Sequence, residues 1–219
     1  MRKYCCFCGE GVVLYLKVKR VLDFILSLLG LIVLSPFFLV ISLLIKLTSK
    51  GPVFFKQKRI SIHKGYFEIL KFRTMRTDTP KDMPTHLLQN PDQYITGVGK
   101  FLRKTSLDEL PQILNILKGE MAIIGPRPAL WNQEDLIAER DRYGANDVRP
   151  GLTGWAQING RDELPIDVKA KLDGEYVEKM SFWFDLKCFF GTIVSVLKHD
   201  GVVEGGVHEM KKVKEEVKS

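Results

Sequence analysis

Lys100, Arg103 and Lys104 stand just before two adjacent carboxylates, Asp108 and Glu109. The segment over residues 100–115 reads Lys-Phe-Leu-Arg-Lys-Thr-Ser-Leu-Asp-Glu-Leu-Pro-Gln-Ile-Leu-Asn. Three cations beside a helix start make a place that can hold phosphate. An aspartate there is expected to have a depressed pKa and to stay ionised, as a carboxylate nucleophile must. The same residues also spell a helix start, with Ser106 as N-cap and Glu109 reaching back in a capping box. Pro111 weakens that version, because a cap at Ser106 puts proline in the second turn, where a backbone bond is lost. On this segment alone, cap and catalyst stand level.

Two further stretches carry groups suited to a substrate. Arg127, in Gly125-Pro126-Arg127-Pro128, sits on a stiff turn and could grip phosphate through both arms of its fork, or be a surface arginine in a tight loop. Trp155, Gln157, Asn159 and Arg161 combine a flat apolar face with hydrogen-bonding groups, as a nucleobase or sugar site would. The plainer reading of that stretch is a structural loop.

The elements that must position these residues follow from the pattern around them. Val53–Arg59 and Tyr66–Arg73 read as two strands joined around His63-Lys64-Gly65. Residues 77–96, with Pro80, Pro84 and Pro91, read as an irregular loop or short helices. A helix is expected around Asp108–Leu117, then an apolar Met121–Ile124, a solvated helix over Glu134–Tyr143, a glycine-rich loop over Arg149–Arg161 and a helix over Leu172–Lys179. Phe182–Leu197 places five aromatic residues within nine positions and is edged by Lys179, Lys187 and Lys198. It fits a core helix or, better beside the N-terminal run, a helix lying in a membrane interface. No strand, glycine loop and helix follow one another as a dinucleotide or P-loop site requires.

That N-terminal run is Phe24–Ile45, 22 residues without a charge. A straight helix of that length spans about 33 Å, enough for a bilayer core. It starts late and is too long for a signal peptide, and no small-residue cleavage site follows it. Ser35-Pro36 lies near its middle, where proline removes a donor and bends a helix. Basic residues flank both ends: Lys17, Lys19 and Arg20 before, and Lys46, Lys50, Lys56, Lys58 and Arg59 after. A through-span carries one cluster to the wrong face. A helix that enters, bends at Pro36 and returns keeps both inside.

Charge and composition narrow the classes further. The 219 residues carry a net charge of +7, with 45% hydrophobic and 27% charged residues, which supports a packed core and excludes wholesale disorder. Residues 1–60 hold ten basic and two acidic side chains, while the rest hold 23 and 24, so the soluble part is near neutral. That distribution speaks for a membrane surface and against a nucleic-acid partner. Cys5, Cys6 and Cys8 lie too close together for ordinary disulfides, with Cys188 far away, and His63, His86, His199 and His208 offer no zinc spacing. Reduced thiols in a cytosolic chain are expected.

Six motifs then appear in one order: Lys19-Arg20-Val21-Leu22-Asp23, Leu34-Ser35-Pro36, Lys71-Phe72-Arg73-Thr74-Met75, Ser106-Leu107-Asp108-Glu109-Leu110-Pro111-Gln112, Gly125-Pro126-Arg127-Pro128, and Arg149-Pro150-Gly151-Leu152-Thr153-Gly154-Trp155. Together, over about Lys17 to Gly206, they resemble the bacterial sugar transferases, the small monotopic phosphoglycosyl transferases. The resemblance implies an α/β fold of the α+β kind, mainly helical. It implies residues 1–16 as an extension, 17–50 as a re-entrant membrane helix broken at Ser35-Pro36, 51–200 as the catalytic domain with interfacial amphipathic helices and a short β-hairpin, and 201–219 as a polar tail. It implies transfer of a sugar 1-phosphate from a UDP-sugar to a polyprenyl phosphate such as undecaprenyl phosphate, with release of UMP. The expected place is the cytosolic face of the bacterial inner membrane, against its lipid, at the first membrane step of a glycoconjugate pathway.

By the same resemblance Asp108 is the nucleophile that becomes an acyl-phosphate. Glu109 helps hold Mg2+ or deprotonates the acceptor, Arg103 binds phosphate, and Lys71, Arg73, Arg127, Arg149, Trp155, Gln157 and Arg161 line the substrate. The alternative from another class is a membrane-tethered binding or scaffold protein without turnover, against which the intact Asp108-Glu109 pair argues. A homo-oligomer is compatible with the sequence, and nothing in the sequence requires one.

Overall fold

The computed structural model describes residues 10–79, 93–160 and 164–198. Cys5, Cys6, Cys8, Arg161, the three prolines of the 77–96 stretch and the tail from 201 lie outside the described residues. The described fold is mainly helical and carries two small two-stranded sheets.

Helix α1 runs from Glu10 to Thr48. It passes through Pro36 without interruption, so the expected break at Ser35-Pro36 is corrected to a continuous helix. The physical reason lies in the serine. Proline lacks the N–H that should reach the Ile32 carbonyl four residues back. Ser35 Oγ donates to that same oxygen at 2.8 Å, so the orphaned carbonyl is satisfied from within the helix.

One side of α1 is buried against the rest of the protein on either side of its middle. Lys19, Asp23, Ser27, Ile41 and Ile45 are buried on it, whereas Leu26, Leu29, Val33, Phe37, Leu39, Val40, Leu44 and Leu47 are exposed. Towards the N-terminal end, Asp23 Oδ1 accepts from the Ile123 N–H at 3.2 Å. Lys19 pairs with Asp185 in the last described helix, and Tyr15 donates to the same carboxylate at 2.7 Å. Towards the other end, Ile41 and Ile45 cluster with Phe72 and Leu102. The helix thus joins the core towards its two ends and leaves most of its apolar surface exposed.

The strands β1 (Phe54–Ile60) and β2 (Tyr66–Phe72) form the expected antiparallel hairpin, with Phe55 opposite Lys71 and Ile60 opposite Tyr66. Its tip turns through left-handed His63 and Lys64. Helix α2 (Gly97–Lys104) starts on Thr96, whose hydroxyl caps the Gly99 N–H. The expected helix over Asp108–Leu117 is split. Leu107–Glu109 is a single 3-10 turn, and α3 begins only at Gln112. Pro111 decides this, since it can open a helix but cannot lie inside one without losing a bond. The capping box also fails, because Ser106 is left-handed (φ 55°) and makes no side-chain cap.

Helix α3 (Gln112–Lys118) ends on Gly119, whose φ of 87° suits the left-handed closing position. The strand β3 (Ala122–Ile124) follows and pairs in parallel with β4 (Gly151–Thr153), inside the stretch expected to be loop. Between them lies α4 (Glu134–Asp141), expected to be solvated, yet it buries Leu136 and Arg140. The short α5 (Trp155–Ile158) precedes α6 (Ile166–Lys179), which begins earlier than its apolar pattern indicated. Arg140 donates twice to Asp173 of α6, at 2.8 and 2.6 Å, in a buried pair. The last described helix, α7 (Phe182–Lys198), buries Cys188 and Asp185 and exposes Phe182, Trp183, Phe189, Phe190, Ile193, Val194 and Val196.

Candidate active site

The 3-10 turn that carries Asp108 and Glu109 is set against β2 by the residues after it. Asn115, one turn into α3, is fully buried and locks that helix to the strand. Its Oδ1 accepts from the Leu70 N–H at 3.0 Å, and its Nδ2 donates to the Glu68 carbonyl at 2.8 Å and to Glu120 at 2.7 Å. With Leu70 fixed there, the next residue, Lys71, meets the carboxylate pair. Lys71 Nζ lies 2.7 Å from Glu109 Oε1 and 3.8 Å from Asp108 Oδ2. Arg127 approaches Glu109 from the opposite loop, with Nη2 2.8 Å from Oε1 and Nη1 3.4 Å from Oε2. Arg103, on α2, donates from Nε to Thr74 Oγ1 at 2.9 Å and adds positive charge near Asp108.

Asp108 and Glu109 are both buried, at 8% and 9% exposure, so their surroundings govern their charge. Burial pushes the Asp108 carboxyl above the ordinary aspartate range, and the Glu109 charge adds to that. Lys71, then Arg103 and Arg127, pull it back down. The depressed pKa expected from Lys100, Arg103 and Lys104 is therefore corrected: loss of water outweighs the lowering charges, of which Arg103 is joined by Lys71 and Arg127. The site is a buried carboxylate whose pKa burial raises and whose cationic neighbours work against that rise.

Of the residues expected at the site, Lys71, Arg103, Asp108, Glu109 and Arg127 are brought together. Four others are engaged elsewhere. Arg73 is buried and donates to the carbonyls of Ser49 at 2.8 Å and Lys50 at 3.0 Å, closing the C-terminal end of α1. Gly51 makes room for it. Its φ is +123°, and a Cβ there would fall 2.1 Å from Arg73 Nη1. Arg149 donates from Nε to the Gly119 carbonyl at 3.1 Å, at the end of α3. Arg20 caps the same end through Ile116 at 2.6 Å and Leu117 at 3.0 Å. Arg73 and Arg149 thus each hold backbone carbonyls just past a helix end, away from the Asp108 and Glu109 cluster.

Trp155 donates to Glu175 at 3.2 Å and packs on Phe184 with centroids 5.1 Å apart, within the core beneath α7. Gln157 is buried and donates to the Leu152 carbonyl at 3.0 Å. Both hold the α5 region together. Sequence reasoning missed Asn115 and Thr74, the residues that place Asp108 and Arg103. Asn115 has a faint signal as a polar residue in an otherwise apolar helix, whereas Thr74 stands in the Lys71–Met75 motif with nothing to mark its role.

Comparison with known proteins follows the same outline. The chain is 40% identical over 186 residues to an uncharacterized sugar transferase of Bacillus subtilis, EpsL, covering 84% of this chain and 90% of that protein. It is 42% identical over 183 residues to the UDP-glucose:undecaprenyl-phosphate glucose-1-phosphate transferase of Escherichia coli, covering 80% of this chain. It is 40% identical over 185 residues to the undecaprenyl-phosphate glucose phosphotransferase of Komagataeibacter xylinus, again covering 80% of this chain. These last two are longer proteins, of which the match spans 39% and 35%. The profile of the bacterial sugar transferase family matches residues 14–199, and the chain belongs to that family.

Proposed function

We propose that the protein is a phosphoglycosyl transferase that moves a sugar 1-phosphate from a UDP-sugar to a polyprenyl phosphate and releases UMP. The observation that carries this reading is the buried Asp108 carboxylate with Lys71, Arg103 and Arg127 around it. In the first half-reaction, an Asp108 oxygen attacks the phosphorus that bears the sugar. A P–O bond forms, the P–O bond to UMP breaks, and UMP leaves with the electron pair. In the second, an oxygen of the polyprenyl phosphate attacks the same phosphorus and Asp108 leaves as a carboxylate. Lys71, Arg103 and Arg127 offset the charge that gathers on the transferred group. Glu109, gripped by Lys71 and Arg127, keeps those two cations facing Asp108.

The donor set fits Mg2+. Among the described residues no third His, Cys, Asp or Glu joins Asp108 and Glu109. Mg2+ needs none, since it is commonly held by one or two carboxylates with substrate phosphates and water. Asp108 and Glu109 would hold it, and it would supply charge neutralisation for the diphosphate.

The same reading puts the protein on the cytosolic face of the bacterial inner membrane, with both ends of α1 kept on that side. Buried contacts sit on both sides of Pro36, at Lys19, Asp23 and Ser27 and again at Ile41 and Ile45. A helix crossing the bilayer upright would keep only one end beside a domain on one side. The exposed apolar faces of α1 and α7 suit burial in lipid.

The test uses a panel of UDP-sugars with Mg2+ and no acceptor lipid. The productive donor should release UMP only up to the enzyme concentration and add the mass of a phosphosugar to Asp108. Addition of polyprenyl phosphate should then give repeated turnover with parallel-line kinetics. Intersecting lines with no labelled enzyme would remove the covalent route and leave direct transfer. No UMP from any donor, with or without lipid, would favour a tethered scaffold.

A further inference from the structure

Glu109 is gripped by two cations that arrive from different segments, yet one hairpin places both. Lys71 stands on β2 and reaches Glu109 directly. Arg127 reaches it from the loop after β3, and that loop is fastened to β1. Arg59 donates from Nη1 to the Pro128 carbonyl at 3.0 Å and from Nη2 to Gln57 Oε1 at 2.7 Å. Ile60 donates its N–H to the Ala129 carbonyl at 3.0 Å, and Arg59 and Leu130 form an antiparallel bridge. The residues immediately after Arg127 therefore run as a short, irregular third strand on the β1 edge. Register puts Gln57 and Arg59 on the same hairpin face as Lys71, because Phe55 opposes Lys71 and alternate residues share a face.

The prolines flanking Arg127 fix φ on both sides and leave the backbone little freedom to absorb a shift. A displaced Pro128 carbonyl therefore carries Arg127 with it. Small displacements at a charge-assisted pair strongly affect catalysis, since effective geometry is narrow.

We propose that Arg59 is a positioning residue for phosphosugar transfer: through Pro128 it sets Arg127 on Glu109 at the spacing that Lys71 sets from β2. This rests on the reading of Arg127 and Glu109 as working parts of the site, and the experiment separates the two. The full chain in detergent is assayed for kcat/KM of UMP release with its best UDP-sugar, Mg2+ and polyprenyl phosphate. Variants are Arg59→Gln, Arg127→Gln and both together.

Loss of the charge-assisted pair in Arg127→Gln should lower kcat/KM roughly 100-fold. Arg59→Gln should lower it roughly 10-fold, and the double variant should match Arg127→Gln alone, not the roughly 1,000-fold product of independent effects. Arg59→Lys, which keeps the charge and one donor without the fork, should fall between wild type and Arg59→Gln. A purely structural role predicts losses that multiply and follow the melting temperature, and that result overturns the proposal while the Arg127 reading stands. Wild-type turnover in Arg127→Gln would remove both. If Arg59→Gln does not fold, Gln57→Leu loosens the same guanidinium, and its loss should likewise vanish in the Arg127→Gln background.

Discussion

Replacing Lys71 by methionine keeps the length of the side chain and removes the charge that most lowers the Asp108 pKa. The ammonium lies 3.8 Å from the nearer Asp108 oxygen. Two unit charges about 4 Å apart interact by about 4 kcal/mol at the effective dielectric that suits such sites. Water entering the vacated space screens part of it, so that figure is an upper bound on what the ionised carboxylate loses with Lys71. The direction is fixed: the variant must be taken to higher pH before Asp108 ionises.

The assay is single-turnover UMP release with UDP-sugar and Mg2+ and no lipid, followed across about pH 5 to 9. Wild type should already show its acid limb above the usual carboxylate range, because burial raises Asp108. Lys71→Met should move that limb upward, and Lys71→Arg should restore it. An acid limb that stays in place while the rate falls would show that Lys71 acts on the substrate and does not tune Asp108. A limb that moves downward would show that another group titrates.

Asp108→Asn should abolish UMP release and raise the melting temperature at neutral pH. A carboxyl whose folded pKa lies above its unfolded value contributes stability in acid that is lost as pH rises through the folded pKa. The gain in melting temperature over wild type should therefore grow from acid to neutral pH. Arg140→Met leaves Asp173 charged and buried, and should cost about 3–5 kcal/mol of stability, seen as early thermal unfolding. Adding Asp173→Leu should recover most of it. Cysteines placed singly at Lys17 and Lys50 should both be labelled only from the cytosolic side of intact cells, and labelling of either from outside would establish a through-span.

Much of this was legible in the residues, and the failures have causes. The hairpin was readable because two strand-length stretches rich in aromatic and β-branched residues at their ends flank a turn of His63, Lys64 and Gly65. Asp108 and Glu109 were readable as adjacent carboxylates beside cations, and Lys71, Arg103 and Arg127 do converge on them. Where Arg73 and Arg149 sit could not be read, because an arginine's letter does not say which oxygens its fork will meet; here those include backbone carbonyls just past two helix ends, some 20 to 30 residues away. The Asp108 pKa went the wrong way because nearby charge can be counted in a sequence, whereas burial cannot. Gly151–Thr153 was hidden as a strand since three residues carry no period, and its partner Ala122–Ile124 lies far back in the chain. At Pro36 the expected break ignored the neighbouring hydroxyl.

The stripe of α1 that lies against the domain has a consequence for biosynthesis. Among the described elements α1 is made first, and its bonds to Asp185 span 166 and 170 residues of chain. Contacts between such distant residues close late in folding, because the intervening chain must first be ordered. The last described helix to leave the ribosome thus fastens onto the first, by way of Lys19 and Tyr15. Until α7 arrives, Lys19 has no Asp185 to neutralise it, and until α3 is formed Arg20 has no carbonyls to hold. Cutting away α1 to obtain a soluble catalytic fragment would uncover Phe72 and Leu102 and strip two of the cations that close α3 and anchor α7. The fragment would lose its first template, and the folded catalytic unit has to be prepared with α1 attached.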